Sequence, residues 1–77
     1  MKTEINTVAQ FKAAFFENLE FYIKANDQIR HDFASFNQHI DDYAEGIRDI
    51  CTPESVPAQR TRKAWFAEVK AQADAIT

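Results

Sequence analysis

Few residues in this chain are of a kind that does chemistry, and their spacing limits what they can do together. His31 and His39 lie eight apart, roughly two turns of a helix and too far for one metal ion to be shared directly. Asp27 and His31 are four apart, the spacing of a solvated pair on a helix surface. Cys51 is the only cysteine and has no histidine near it in sequence, so as a nucleophile it would need a base brought by the fold. A partly buried thiol at a helix end is the expected state. No nucleophile, base and orienting group assemble from these residues. The expectation is a protein with no catalytic residues, no metal and no cofactor, and not an enzyme.

Charge offers more. Asp41, Asp42, Glu45 and Asp49 make one stretch acidic toward the C-terminal end of its helix, which the helix dipole disfavours unless cations lie near. Arg60, Arg62 and Lys63 are the candidates. If the following helix returns antiparallel, its basic first turns sit beside that acidic stretch as an intramolecular match, at roughly 0 to 1 kcal/mol per exposed pair. The other reading is two recognition patches of opposite sign, with Asp41, Asp42 and Glu45 on one and Arg60 and Arg62 on the other. The acidic patch would then imitate a nucleic acid or dock a basic partner.

These groups must be carried by helices. From Val8 to Ile50 an apolar residue recurs every three or four positions, and neither proline nor glycine occurs before Gly46. The seam is Val8, Phe11, Phe15, Leu19, Tyr22, polar Asn26, then Ile29, Phe33, Phe36, Ile40, Tyr43, Ile47 and Ile50, which keeps one helical stripe in register. Thr7 with Gln10 has the form of a capping box, so a helix starts at Val8, with Ile5 able to staple onto Phe11. The first few residues are expected to fray.

Asn26 and Asp27 interrupt the seam, and their types favour a left-handed C-cap and an N-cap respectively. A turn at 25–27 is expected. The alternative is one continuous helix of about 65 Å, with Asn26 specifying register in a coiled-coil dimer that covers the stripe. Pro53 and Pro57 cannot both lie inside a helix. Ser55 is expected to cap the last helix, with Pro57 in its first turn, and Trp65, Val69, Ala73 and Ile76 continue a helical stripe. The expected fold is all-α, a small three-helix bundle over about 8–25, 28–51 and 56–76, with the first two fused in the dimeric alternative.

Leucine occurs once and phenylalanine seven times, so the core is aromatic where leucine normally fills helical bundles. Phe11, Phe15, Phe33, Phe36 and Trp65 are expected inside. Neighbours on a helix point about 100° apart, so the pairs Phe15–Phe16, Phe21–Tyr22 and Trp65–Phe66 cannot all face one seam. Either the core is wide, or Phe16, Phe21 and Phe66 form a contact patch of the kind that anchors interfaces.

At 77 residues the chain is expected to be one domain over 1–77, burying only roughly 60% of its unfolded surface. A net charge of −3 argues against nucleic-acid binding, which rests on clustered Lys and Arg. A single cysteine excludes an internal disulfide and fits a reducing cytoplasm. Residues 1–21 lack the apolar run of a signal peptide, and no stretch approaches the ~20 apolar residues of a membrane span.

The segments Glu17-Asn18-Leu19-Glu20, Lys24-Ala25-Asn26-Asp27-Gln28 and Phe33-Ala34-Ser35-Phe36-Asn37-Gln38, with the break Thr52-Pro53-Glu54 before a last helix, resemble phasins. Phasins are amphipathic helical proteins that coat polyhydroxyalkanoate granules, and the likeness runs over about 15–75. It implies binding to an apolar surface through the Phe-rich face, with no catalytic residues to carry over. Two functions are therefore expected. The first is binding to another protein or to a second copy, as an adaptor, self-associating subunit or stoichiometric inhibitor of the kind common in phage and mobile elements. The second is phasin-like coating of a granule or other apolar surface, although the basic border that helices show at anionic lipids is missing.

Overall fold

The computed structural model describes residues 4–76 of the chain, and the side chains of residues 4–75. The chain is all-α. Among the described residues there are four α-helices, α1 (Val8–Glu17), α2 (Leu19–Ala25), α3 (Phe33–Gly46) and α4 (Gln59–Ile76), with 3-10 turns at Asp27–Arg30 and Pro53–Ser55. Four helices stand where three were expected, because the first is divided at Asn18.

The capping box is present as expected. Thr7 Oγ1 accepts from the Gln10 amide at 3.1 Å, while Gln10 Oε1 accepts from the amides of Thr7 at 3.1 Å and Asn6 at 2.7 Å. At Asn18 the side-chain amide donates back to the Ala14 carbonyl at 3.5 Å, the local competition with backbone pairing that suits asparagine to breaks. The helix resumes one residue later, with the Tyr22 amide bonded to the Asn18 carbonyl at 3.1 Å.

The expected turn at 25–27 is present, with two differences. Asn26 is extended (φ −151°, ψ 91°) rather than left-handed, and its Oδ1 accepts from the Gln28 amide to open the 3-10 turn. The N-cap of α3 is Asp32 rather than Asp27, its carboxylate accepting from the Ser35 amide at 3.3 Å and the Ser35 hydroxyl at 3.0 Å. The continuous helix over 8–51 is thus broken at Asn26 and again at His31–Asp32. Its ~65 Å length also exceeds the molecule's longest extent, 36 Å.

The last helix starts later than expected, at Gln59. Ser55 does not cap it: the residue is fully buried and donates its hydroxyl to the Thr52 carbonyl at 2.7 Å, closing the turn around Pro53. Pro57 lies before α4 rather than in its first turn. Of the segment expected to fray, residues 1–3 fall outside the described residues, whereas Ile5 is held. Its amide donates to the Ile50 carbonyl at 2.7 Å and its carbonyl accepts from the Thr52 amide at 3.0 Å, a single parallel bridge that ties the start of the chain to the loop after α3.

One core joins these elements. Phe11, Phe15, Ile29, Phe36, Ile40, Val69 and Ala73 are fully buried, with Ile5, Leu19, Ile23 and Trp65 nearly so. Phe33 is only half-buried, at the core's edge. The rings meet in offset and edge-on pairs, the preferred geometries for aromatic quadrupoles: Phe11 stacks on Trp65 at 6.0 Å and meets Tyr43 edge-on at 5.4 Å, and Phe15 meets Phe36 at 6.0 Å. Helices α3 and α4 run antiparallel, as Phe33 faces Phe66 while Asn37 faces Gln59 and Arg62.

Candidate functional site

The three rings singled out as a contact patch separate. Phe16 is half-buried edge-on to Trp65 at 6.0 Å, with the Lys12 ammonium 5.6 Å from its centroid. Phe66 is half-buried between Phe33 and Phe36, both at 5.6 Å, and Lys70 lies 4.9 Å from its centroid. Both rings belong to the rim of a wide core, and their outer faces take up cations, a placement worth about 0.5–1 kcal/mol at an exposed site. Phe21 alone stays out, 70% exposed on α2. It touches Tyr22 edge-on at 6.0 Å.

The charged candidates also divide. Arg62 is only 6% exposed. Its Nε donates to the Pro57 carbonyl at 2.9 Å, and its Nη1 reaches Asn37 Oδ1 at 2.7 Å and Asp41 Oδ1 at 2.8 Å. A guanidinium offers five donors in a rigid fork, so one side chain closes the α4 entry and binds it to α3. Asp41 is therefore partnered across the antiparallel pair, the arrangement of an intramolecular charge match. Glu45 pairs locally with Arg48, and Asp42 accepts from Gln38 at 3.0 Å. Arg60 is exposed, and its side chain makes no hydrogen bond or ion pair among the described residues.

The chemically capable residues are likewise dispersed. His31 lies against the Asp27 carboxylate at 3.1 Å, which Arg30 also engages. The adjacent guanidinium, more than His31, holds the Asp27 carboxyl below its ordinary value. His39 stands against the Tyr22 ring at 4.8 Å and Phe15 at 5.6 Å. Its Nε2 is buried and lacks a hydrogen-bond partner among the described residues. Burial pushes the imidazole below its usual value, and Asp42 pulls weakly the other way. Burial likewise raises the phenols of Tyr22 and Tyr43, whose rings meet edge-on at 5.9 Å. Cys51 is half-buried. Among the described residues no group of three His, Cys, Asp or Glu is arranged to hold a metal ion, and no helix is long and apolar enough to cross a membrane.

The surface that sequence reasoning missed lies beside α1. A groove of about 560 Å³ is floored by Ile5, Ala13, Ala14 and Ile50 and edged by Glu4, Gln10 and Glu17. A second depression, formed by Glu17, Asn18, Glu20, Phe21 and Lys24, shares Glu17 with it. The two meet at Glu17, and Gln10, Ala14, Glu17, Phe21 and Lys24 step four, three, four and three in sequence across the break at Asn18. That helical spacing was readable, but the alanines gave no hydrophobic signal, and Ile5 and Ile50 reach the floor only through the bridge that joins their segments.

No family model matches this chain, and no curated protein or solved structure matches it.

Proposed function

We propose that this is a non-catalytic protein that acts by binding another protein, as an adaptor, self-associating subunit or stoichiometric inhibitor, through the outer face of α1 and α2. The observation that carries this reading is Phe21: a ring 70% exposed in a depression that meets an apolar groove at Glu17, in a molecule that folds its other large rings into or against the core. Aromatic anchors beside apolar clefts dominate interface energies. In this reading the helices work as a small bundle in which α1 and α2 count as one element across Asn18, giving three layers. A reducing cytoplasm suits the single cysteine.

Coating of a polyhydroxyalkanoate granule or similar apolar surface is the second reading, favoured by the same exposed ring and by the phasin resemblance. Glu4, Glu17 and Glu20 beside it weigh against an anionic surface. Affinity purification from the native cell with the intact chain and Phe21→Ala separates the two. The first reading expects a stoichiometric protein that is lost with Phe21→Ala, while the variant keeps its stability to within about 0.5 kcal/mol, as surface changes do. Recovery with granules favours coating, and a partner retained unchanged by Phe21→Ala sinks the assignment of this face.

A further inference from the structure

We infer that the α1–α2 groove receives a basic amphipathic helix of another protein. The inference rests on the binding function proposed above and adds the chemistry of the partner. Its first support is charge. Four carboxylates elsewhere, Asp27, Asp41, Glu45 and Glu68, each face a cation of this chain, while Asp49 and Glu54 make no ion pair among the described residues. Glu4 and Glu17, on the rim of the groove, make no ion pair or side-chain hydrogen bond among the described residues. Among the described residues no basic side chain lines the groove between them. Farther along, Lys24 is already neutralised by Glu20 at 3.0 Å. Among the described residues the face therefore presents two unpaired carboxylates around an apolar floor, and electrostatic complementarity calls for the opposite sign on the occupant.

Shape is the second support. Ala13 and Ala14 place only methyl groups at the centre of the face, which permits a helix axis to approach at the short end of the usual 8–10 Å. From Gln10 to Lys24 the face runs about 21 Å along the helices, roughly four turns. Ile5 and Ile50 fill the floor at one end and Phe21 supplies the anchor at the other. A second copy docked through the same patch about a twofold axis would set this acidic rim against itself. An anionic lipid or a fatty acid would meet the same repulsion.

The test is a nuclear magnetic resonance titration of the isotope-labelled full chain with a synthetic Leu/Lys helical peptide about four turns long, and with its counterpart carrying Glu at every Lys. Saturable shifts are expected at the amides of Ile5, Ala13, Ala14, Phe21 and Ile50 with the Lys peptide only. The double variant Glu4→Lys/Glu17→Lys is expected to weaken that binding roughly tenfold or more. Equal saturation by both peptides on this face overturns the basic partner and leaves the binding function standing. Shifts confined to Asp41, Asp42, Glu45 and Asp49 overturn the inference and the face assigned above, and no saturation with either peptide overturns the basic partner. Shifts at these amides that grow with protein concentration alone, with a doubled mass in light scattering, assign the face to a second copy and overturn the inference.

Discussion

His39 shows what one buried nitrogen does to the whole molecule. Its imidazole is wedged against Tyr22 and Phe15 with Nε2 unpaired among the described residues, and burial holds its proton affinity below the ordinary value. The unfolded chain therefore binds a proton near pH 6.5 that the folded chain resists, and stability rises with pH wherever the unfolded state holds more protons. The stability is complete above the unfolded value and falls as pH drops through it toward the folded value. Thermal midpoints measured between about pH 5 and 8 should decline on the acid side, and His39→Leu should flatten that slope. Asp27 acts in the same direction, but only below its ordinary value of about 3.9, outside that window. Arg62 is the second case. Arg62→Ala leaves the Pro57 carbonyl without this donor, while Asn37 keeps Gln59, at a cost of about 1–3 kcal/mol by the usual penalty for an orphaned polar group. Arg60→Ala should stay within about 0.5 kcal/mol, and urea unfolding of the two variants separates them. Position in sequence ranks these arginines alike. Only the antiparallel alignment of α3 and α4 decides which one meets the carbonyl, amide and carboxylate that bury it.

The four helices owe their limits to short-range chemistry of unequal legibility. Thr7 and Gln10 were readable because a capping box needs only its own four residues. Asp32 was not, since Asp27 and Asp32 are equally good N-caps by type. The choice between them falls to Ile29, whose complete burial in the intervening 3-10 turn requires the chain to change direction before α3 begins. Asp32→Ala should cost about 1 kcal/mol. Gly46 offers the opposite change. It lies in the last turn of α3 without positive φ, and a methyl group there would meet nothing within 4 Å. Gly46→Ala should therefore stabilise by about 0.4–1 kcal/mol through the unfolded chain's lost freedom. Denaturant midpoints of both variants at an unchanged slope would check the pair of signs. Ser55 illustrates the remaining failure: a serine before a helix reads as a cap, but here its hydroxyl is spent on Thr52 inside the loop.

At the scale of the molecule, a small single core leaves little reserve. Phe36 is fully buried between rings from α1 and α4, so Phe36→Ala should cost about 3–5 kcal/mol, a large share of the 5–15 kcal/mol typical of a whole domain. Circular dichroism should show that variant largely unfolded well below the parent's midpoint, while Phe21→Ala melts with the parent. Both rings lie in helices rich in aromatics, and their opposite fates mark the division between sequence and structure. By itself the sequence determined the helical class, the apolar seam and the breaks near Asn26 and at the two prolines, because periodicity and backbone chemistry act over a few residues. The seam's residues from Phe11 to Ile40 duly line the core, apart from polar Asn26 and the edge positions Tyr22 and Phe33. Only the tertiary structure decided that Phe16 and Phe66 close the core while Phe21 stays out, that Arg62 is a buried latch, and that Ile5 and Ile50 floor a groove beside α1. Each of those outcomes depends on what a distant element places opposite a side chain, and burial is a property of the pair, not of the residue.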